Sequence, residues 1–344
     1  MARRILIRAD GSTNIGMGHI MRCLALADGL RRRDAVTFFA TKEYDQFVID
    51  KIREEKFPIF KFDPKFNQKD DEREVKDIVK KEGIDAIITD SYGFDALYFQ
   101  GLKEIGKLVV AIDDLAKIHH YADIVFNGNN SAFNYTYMRA DYTKLYLGTD
   151  YILLRDEFRE KHNLNREIKE FVENILITFG GVDSANQTMR VLKVIQEIRG
   201  IFKCIVILGK GFSKKSEIEQ FLKKSERKVE VYQDVKKISD FMMKVDMAIS
   251  AAGSTLYEFA CLGLPAISFI MADNQRAHSE ELHRAGVVIN LGRYENFSDK
   301  YLLQIILHLM AEQQTRLEMS QKGKELVDGK GVERTSEVIL SAIS

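Results

Sequence analysis

The residues best suited to chemistry lie in glycine-rich turns. The first reads Asp10-Gly11-Ser-Thr-Asn-Ile-Gly16-Met-Gly18-His19 and leads into Ile20, Cys23, Leu24 and Ala27, an apolar stripe of helical period. Glycine lets backbone approach a ligand closely, and the unpaired amides of a helix start attract anions, so Gly16 and Gly18 are candidate ligand contacts. A tight turn would need the same residues. A dinucleotide fingerprint is excluded because Met21 stands where its third glycine belongs, and a Walker A loop because no Gly-Lys-Ser/Thr follows. His19 sits where helix amides oppose a second proton on the ring. A neutral imidazole can accept a proton, which makes His19 a candidate general base. Arg22 shares its helical face three residues on and could meet a phosphate or orient the loop. Asp10 stands on the same rim, within reach of either Arg8 or His19.

The second constellation is Asp246-Met-Ala-Ile-Ser250-Ala-Ala-Gly253-Ser254-Thr255-Leu-Tyr-Glu258, a strand pattern, a small-residue turn and a helix start. Amides and hydroxyls at Gly253, Ser254 and Thr255 can bind phosphate, and Glu258 could accept from ribose hydroxyls. A Ser/Thr cap closed by Glu258 is the structural alternative. Phe179-Gly180-Gly181-Val-Asp183 and Ala272-Asp273-Asn274-Gln275 follow two other strand patterns, so three turns share one sheet edge. Asp90-Ser91-Tyr92 puts a carboxylate and a phenol on the first rim. Asp113-Asp114 with His119-His120 is a weak metal candidate, because adjacent histidines rarely chelate together. His278 and His283 are not spaced as i, i+4 ligands. No metal site and no cofactor are assigned.

The elements that must hold these turns read as α/β. Short β-branched runs alternate with longer, charged, periodically apolar segments, as parallel strands joined by helices do. Strands are predicted at 5–9, 36–40, 86–89, 108–112 and 123–126, then at 175–178, 204–208, 229–232, 247–250, 266–270 and 287–290. The charged stretch Arg155 to Glu173 lacks proline and glycine and reads as the hinge. This divides the chain into residues 1–155, with the His19 loop, and 156–344. The last helix either caps the second domain or crosses back to the first.

With 344 residues the chain is long enough for two domains, and 51 Lys plus Arg against 51 Asp plus Glu leave no global attraction to nucleic acid or anionic lipid. The expected partner is a small molecule, with neither nucleic acid nor membrane involved. Three widely spaced cysteines without a CxxC pair read as reduced thiols. The apolar run Ile5-Leu6-Ile7 is interrupted by Arg8 and Asp10, too soon for a signal peptide, and no stretch is long enough to span a membrane. A cytoplasmic location is expected.

Taken together, the GxGH loop, the GGxD turn, Gly-Ser-Thr-Leu-Tyr-Glu and Ala-Asp-Asn-Gln resemble, in order, the UDP-sugar hydrolases of pseudaminic acid biosynthesis and their spore coat polysaccharide relatives. The resemblance spans roughly residues 5 to 290. It implies a GT-B fold, two Rossmann-like domains facing across a cleft, similar to the N-acetylglucosaminyltransferase that makes lipid II. It also implies that Gly253, Ser254 and Thr255 hold the diphosphate, Glu258 the ribose and backbone near Val235 the uracil, with Gly181 lining the cleft. His19 would activate water for attack at the anomeric carbon, with inversion and without a metal. Tyr92 and Asn274 match positions used around the sugar and the water. The activity so implied is release of a 2,4-diacetamido-2,4,6-trideoxyhexose from UDP. A glycosyltransferase on the same scaffold and a non-catalytic nucleotide-sugar-binding protein are the competing readings. A 2-epimerase would need acid and base carboxylates that the sequence does not reveal around the nucleotide.

Overall fold

The computed structural model describes residues 2–11 and 17–343. The chain divides into two compact units, residues 1–155 with 329–344, and residues 156–328. The first unit runs β1 (Arg4–Ala9), α1 (Gly18–Arg31), β2 (Val36–Lys42), α2 (Gln46–Glu54), β3 (Ile59–Phe62), α3 (Gln68–Glu82), β4 (Ala86–Asp90), α4 (Ala96–Lys103), β5 (Leu108–Ile112), β6 (Ile124–Asn127) and β7 (Lys144–Leu147). The second runs α5 (Asp156–His162), β8 (Asn174–Thr178), α6 (Gln187–Gln196), β9 (Lys203–Leu208), α7 (Lys215–Leu222), β10 (Val229–Gln233), α8 (Ile238–Met242), β11 (Met247–Ala251), α9 (Thr255–Cys261), β12 (Ala266–Ile270), α10 (Arg276–Arg284), β13 (Val288–Arg293), α11 (Asp299–Ala311) and α12 (Gln313–Leu326). The chain ends in α13 (Gly331–Ala342).

Both sheets are parallel and doubly wound. The seven-stranded sheet has the order β3-β2-β1-β4-β5-β6-β7 and the six-stranded sheet β10-β9-β8-β11-β12-β13. Two parallel Rossmann-like domains are therefore present, as the alternating pattern predicts. Central strands such as Ile5-Leu6-Ile7 are apolar throughout because both faces are covered. Ile5 and Ile7 pack with α1 on one face, while Leu6 packs with Val75, Ile78 and Tyr98 of α3 and α4 on the other. The strands absent from the sequence reading, β3 and β7, are four-residue strands at the two edges of the first sheet. Half-buried edge strands carry little continuous apolar signal.

The terminal helix belongs to the first unit. Val332, Ile339 and Ile343 join the core around α1, and a Cβ on Gly29 of that helix would lie 2.2 Å from Val332 Cγ1. Glycine at this position is what lets α13 dock closely on α1.

The units divide at Arg155/Asp156, where the charged stretch begins, and the rest of that stretch is bound into the second unit. Phe158 of α5 is fully buried. Arg166 donates to the carbonyls of Leu262 (2.8 Å), Val245 (2.7 Å) and Met242 (2.7 Å). Burial pushes its guanidinium down to about 10, with only Asp246 opposing. From α12, buried Arg316 donates back to the carbonyls of Lys169 (2.7 Å) and Glu170 (2.8 Å). In sequence, arginines satisfied by carbonyls look the same as solvated ones. The three cysteines are buried and unbridged.

Candidate active site

In an open doubly wound sheet, ligands bind beyond the carboxyl ends of the strands where the order reverses. In the first unit that point lies between β1 and β4, whose register pairs Ala9 with Asp90. Asp90 is the last residue of β4 and fully buried. His19, the second residue of α1, is 7% exposed, and its Nδ1 lies 2.5 Å from Asp90 Oδ1. Arg22, one turn on, clasps the same carboxylate with both arms, Nε to Oδ2 and Nη2 to Oδ1, each 2.6 Å. Cys23 Sγ approaches Oδ2 at 3.4 Å.

Burial works against charge on Asp90, yet the charge of Arg22 and the hydrogen bonds of Arg22 and His19 hold its carboxyl well below the usual range. An ionised Asp90 can only accept, so Nδ1 carries the proton it donates, and Nε2 is left as the ring's proton-accepting atom. Asp90 stands where it meets positive charge that forms on the ring as it takes a proton. Such an arrangement can serve as a base oriented by a carboxylate.

A second carboxylate completes the cluster. Asp114, just beyond β5, accepts from Arg22 Nη1 (2.7 Å) and from the Tyr92 hydroxyl (2.9 Å) on Oδ2, and from Asn129 Nδ2 (2.8 Å) on Oδ1. Its burial is outweighed by Arg22, which holds it below the ordinary carboxylate range. The Tyr92 ring stands edge-on to His19, with centroids 4.5 Å apart. Tyr92 itself is 44% exposed.

Asp10 does not orient the imidazole. It pairs with fully buried Arg8 at 2.6 and 2.9 Å and accepts from the Lys42 amide at 2.9 Å. The other side of Arg8 is held by Asp71, itself bonded by the Tyr98 hydroxyl at 2.8 Å. Asp10 is thus part of the frame that carries the His19 loop. Gly18 is exposed at the start of α1, and among the described residues no atom lies within 4 Å of where a Cβ would be. Gly16 lies outside the described residues. His119 and His120 do not converge: His120 Nε2 bonds Asp113 Oδ2 at 2.8 Å, and His119 stacks on Tyr121.

In the second unit the order reverses between β8 and β11. Gly180, with φ +76°, and exposed Gly181 follow β8. Gly209, after β9, packs onto them so closely that a Cβ there would lie 2.3 Å from the Gly181 carbonyl oxygen, and Gly211 N bonds that oxygen at 3.1 Å. Asp183 caps α6 by accepting from the amides of Gln187 and Thr188, both 2.8 Å. Gly253 follows β11. The nearest atom to a Cβ on it would be Gln275 Nε2 at 3.9 Å, while Gln275 Oε1 accepts from Met271 N at 2.8 Å. His278 Nε2 donates to the Ala252 carbonyl at 2.8 Å and steadies the same turn from α10. Ser254, exposed at the N-cap of α9, makes no side-chain cap bond, which removes half of the capping-box alternative. Thr255 and Glu258 are half-buried in the first turn of α9, exposed Asn274 sits in the short turn after β12, and Val235 is half-buried beyond β10.

Within each unit the strand order gathers the singled-out residues. His19, Arg22 and Tyr92 meet in the first, and the Gly181, Gly253 and Gln275 turns share one rim in the second. Sequence reasoning noticed Asp90 and Asp114 without joining them to His19, and it missed Asn129. The available signal was a strand-final aspartate on the fourth strand of a 3-2-1-4 order, which places it beside the first.

Residues 174–333 match the glycosyltransferase family 28 C-terminal domain. An uncharacterized protein of Methanocaldococcus jannaschii is 30% identical over 79% of this chain, and the chain spans 57% of that relative's length. The spore coat polysaccharide biosynthesis protein SpsG of Bacillus subtilis is 26% identical over 97% of this chain and 96% of its own. The UDP-2,4-diacetamido-2,4,6-trideoxy-beta-L-altropyranose hydrolase of Campylobacter jejuni is 25% identical over 82% of this chain and 97% of its own. Among solved structures, MurG of Acinetobacter baumannii superposes with a TM-score of 0.73 at 15% identity, covering 98% of this chain and 99% of its own. The chain thus shares the fold of GT-B glycosyltransferases.

Proposed function

We propose that this protein is a hydrolase that cleaves a UDP-linked 2,4-diacetamido-2,4,6-trideoxy sugar at its anomeric carbon, with inversion, in the biosynthesis of a surface polysaccharide. The observation that carries the reading is the buried Asp90 carboxylate 2.5 Å from Nδ1 of His19. It is supported by similarity to the Campylobacter jejuni hydrolase over 97% of that enzyme's length. In this reading His19 Nε2 takes a proton from water as the water oxygen bonds to the anomeric carbon. The bond from that carbon to the β-phosphate oxygen breaks, and UDP leaves with the electron pair. Asp90 balances the imidazolium that results.

Turn amides and hydroxyls at Gly253, Ser254 and Thr255 meet the diphosphate, Glu258 the ribose and backbone near Val235 the uracil. Gly18 and Gly181 approach the substrate through backbone, and Asn274 and Gln275 meet the sugar. Arg22 and Asp10 act through their ion pairs, Arg22 by holding Asp90 and Asp10 by holding the frame of the loop.

The glycosyltransferase reading has one specific observation in its favour, the family 28 match over residues 174–333. Acceptor dependence separates the two. Purified protein given UDP-2,4-diacetamido-2,4,6-trideoxy-altrose alone is expected to release UDP and free sugar, followed by chromatography, with the anomer read by NMR. UDP release only on addition of a sugar or lipid acceptor would replace hydrolysis by transfer, and tight binding without any product would leave a binding protein.

A further inference from the structure

Tyr92 has one hydroxyl proton, and it is donated to Asp114 Oδ2 at 2.9 Å. The carboxylate that receives it is held from three directions. Arg22 Nη1 donates to the same oxygen at 2.7 Å, and Asn129 Nδ2 donates to the other at 2.8 Å. Asn129 is fixed in turn by Asn127 Oδ1, which accepts from its amide at 3.0 Å and its side chain at 2.9 Å, while Asn127 Nδ2 donates to the Tyr137 hydroxyl at 2.9 Å. The backbone delivering Asp114 is equally constrained, because Asp113 accepts from the amides of Leu115 (2.8 Å) and Ala116 (2.9 Å) and from His120. Such bracing is what a group that sets the orientation of others requires.

We propose that Asp114 is a positioning residue: by taking the Tyr92 proton it turns the phenol oxygen beside His19 into a hydrogen-bond acceptor, and by holding Arg22 it aligns the clasp on Asp90. The ligand group that meets Tyr92 must then be a donor. Resting on the hydrolytic reading above, that group is the attacking water, which gives one hydrogen to His19 Nε2 and the other to the Tyr92 oxygen. Both hydrogens are thereby turned away from the carbon under attack, and an oxygen lone pair is left directed at it. A tyrosine free to donate would instead occupy that lone pair and compete with the reaction. Asn129, through Asp114, belongs to the same device.

The test is a double-mutant cycle of D114N and Y92F, read as UDP release from the UDP-sugar, with the Tyr92 resonance followed in [13Cζ]tyrosine-labelled protein. D114N is expected to lower kcat by roughly 10- to 100-fold, the cost of misplacing a reacting group, with KM nearly unchanged. The double variant should be no slower than the worse single, because the two residues act as one unit. N129A, which keeps both carboxylates and Arg22, should lower kcat in the same direction and covers the case of a D114N protein that does not fold. Near wild-type kcat in D114N, or multiplicative losses in the cycle, overturns the proposal. The spectrum judges it without turnover: assigned by its loss in Y92F, the Tyr92 signal should move in D114N as its carboxylate acceptor disappears, and an unmoved signal is also fatal. A wild-type protein that releases no UDP while the signal moves would reject the hydrolytic reading and leave Asp114 in its place.

Discussion

Replacing Asp90 by asparagine changes one atom, and the structure says what that atom does. The carboxylate accepts from His19 Nδ1 at 2.5 Å, from Arg22 Nε and Nη2 at 2.6 Å, and from Cys23 at 3.4 Å. An amide has a single acceptor oxygen. If that oxygen faces His19, its NH2 is driven against the Nε–H of Arg22. If it faces Arg22, the imidazole loses the acceptor for its Nδ1 proton, the Nε2–H tautomer takes over, and the proton-accepting lone pair is gone. The first orientation unseats Arg22 and the second loses the base; the second removes about 10²- to 10⁴-fold from kcat, or roughly 3–5.5 kcal/mol. Stability falls too. Charge-assisted bonds contribute about 1.5–3 kcal/mol each, but Arg22 retains Asp114 and one orientation of the amide retains one bond, so the net loss is about 3 kcal/mol. For a unit of this size that lowers Tm by roughly 6–12 °C.

Because the Asp90 carboxyl is held below its unfolded value by Arg22 and His19 against the penalty of burial, its contribution is present above the ordinary aspartate range, near pH ~3.9, and is lost on acidification below it. D90N should therefore flatten the acid limb of the stability curve as well as slow hydrolysis. The assays are UDP release at saturating substrate and thermal unfolding between pH 3 and 7. The reasoning is refuted if D90N keeps kcat within about threefold of wild type, or if D90N and H19A together cost the product of their separate losses.

Other expectations follow from close contacts elsewhere. Gly209→Ala places a methyl 2.3 Å from the Gly181 carbonyl oxygen, so it should displace the Gly180-Gly181 turn and weaken UDP binding about tenfold by calorimetry; unchanged affinity would remove that turn from the nucleotide site. Arg166→Ala orphans three carbonyl partners in the second unit and should cost roughly 2–3 kcal/mol in urea titrations, while a loss below about 0.5 kcal/mol would return the 163–173 segment to solvent. Gly29→Leu collides with Val332 on α13 and should destabilise the first unit by several kcal/mol, about the cost of overpacking a filled core; hydrogen exchange in α13 checks it, and unchanged protection there contradicts the packing.

How much of the site was legible depended on the range of the interaction. The GxGH loop, the Gly253 turn and the Ala-Asp-Asn-Gln turn stand out because glycine and small polar residues directly after a buried strand have a local cause. Tyr92 and Asp114 were visible as side chains on a rim, but a hydrogen bond between residues 22 apart leaves no trace in spacing. Arg155 to Glu173 marked where the units divide, but not its own attachment to the second unit, since a buried arginine bonded to carbonyls and a solvated one have the same local pattern. Arg8 is similar. Its neighbours gave no sign that it sits fully buried between Asp10 and Asp71.

From sequence alone came the two alternating β/α series, the apolar strands covered on both faces, and the turns at their carboxyl ends, because strand and helix periodicities are written within ten or fifteen residues. What only the tertiary structure decided was who meets whom across those ends. Asp90 orients His19, 71 residues away, because β4 lies against β1 rather than beside β3. The hydrophobic burial that drives strand pairing is non-directional, so the order is set by right-handed crossovers and the packing of helices on both faces. That order turns scattered carboxylates into partners of one imidazole.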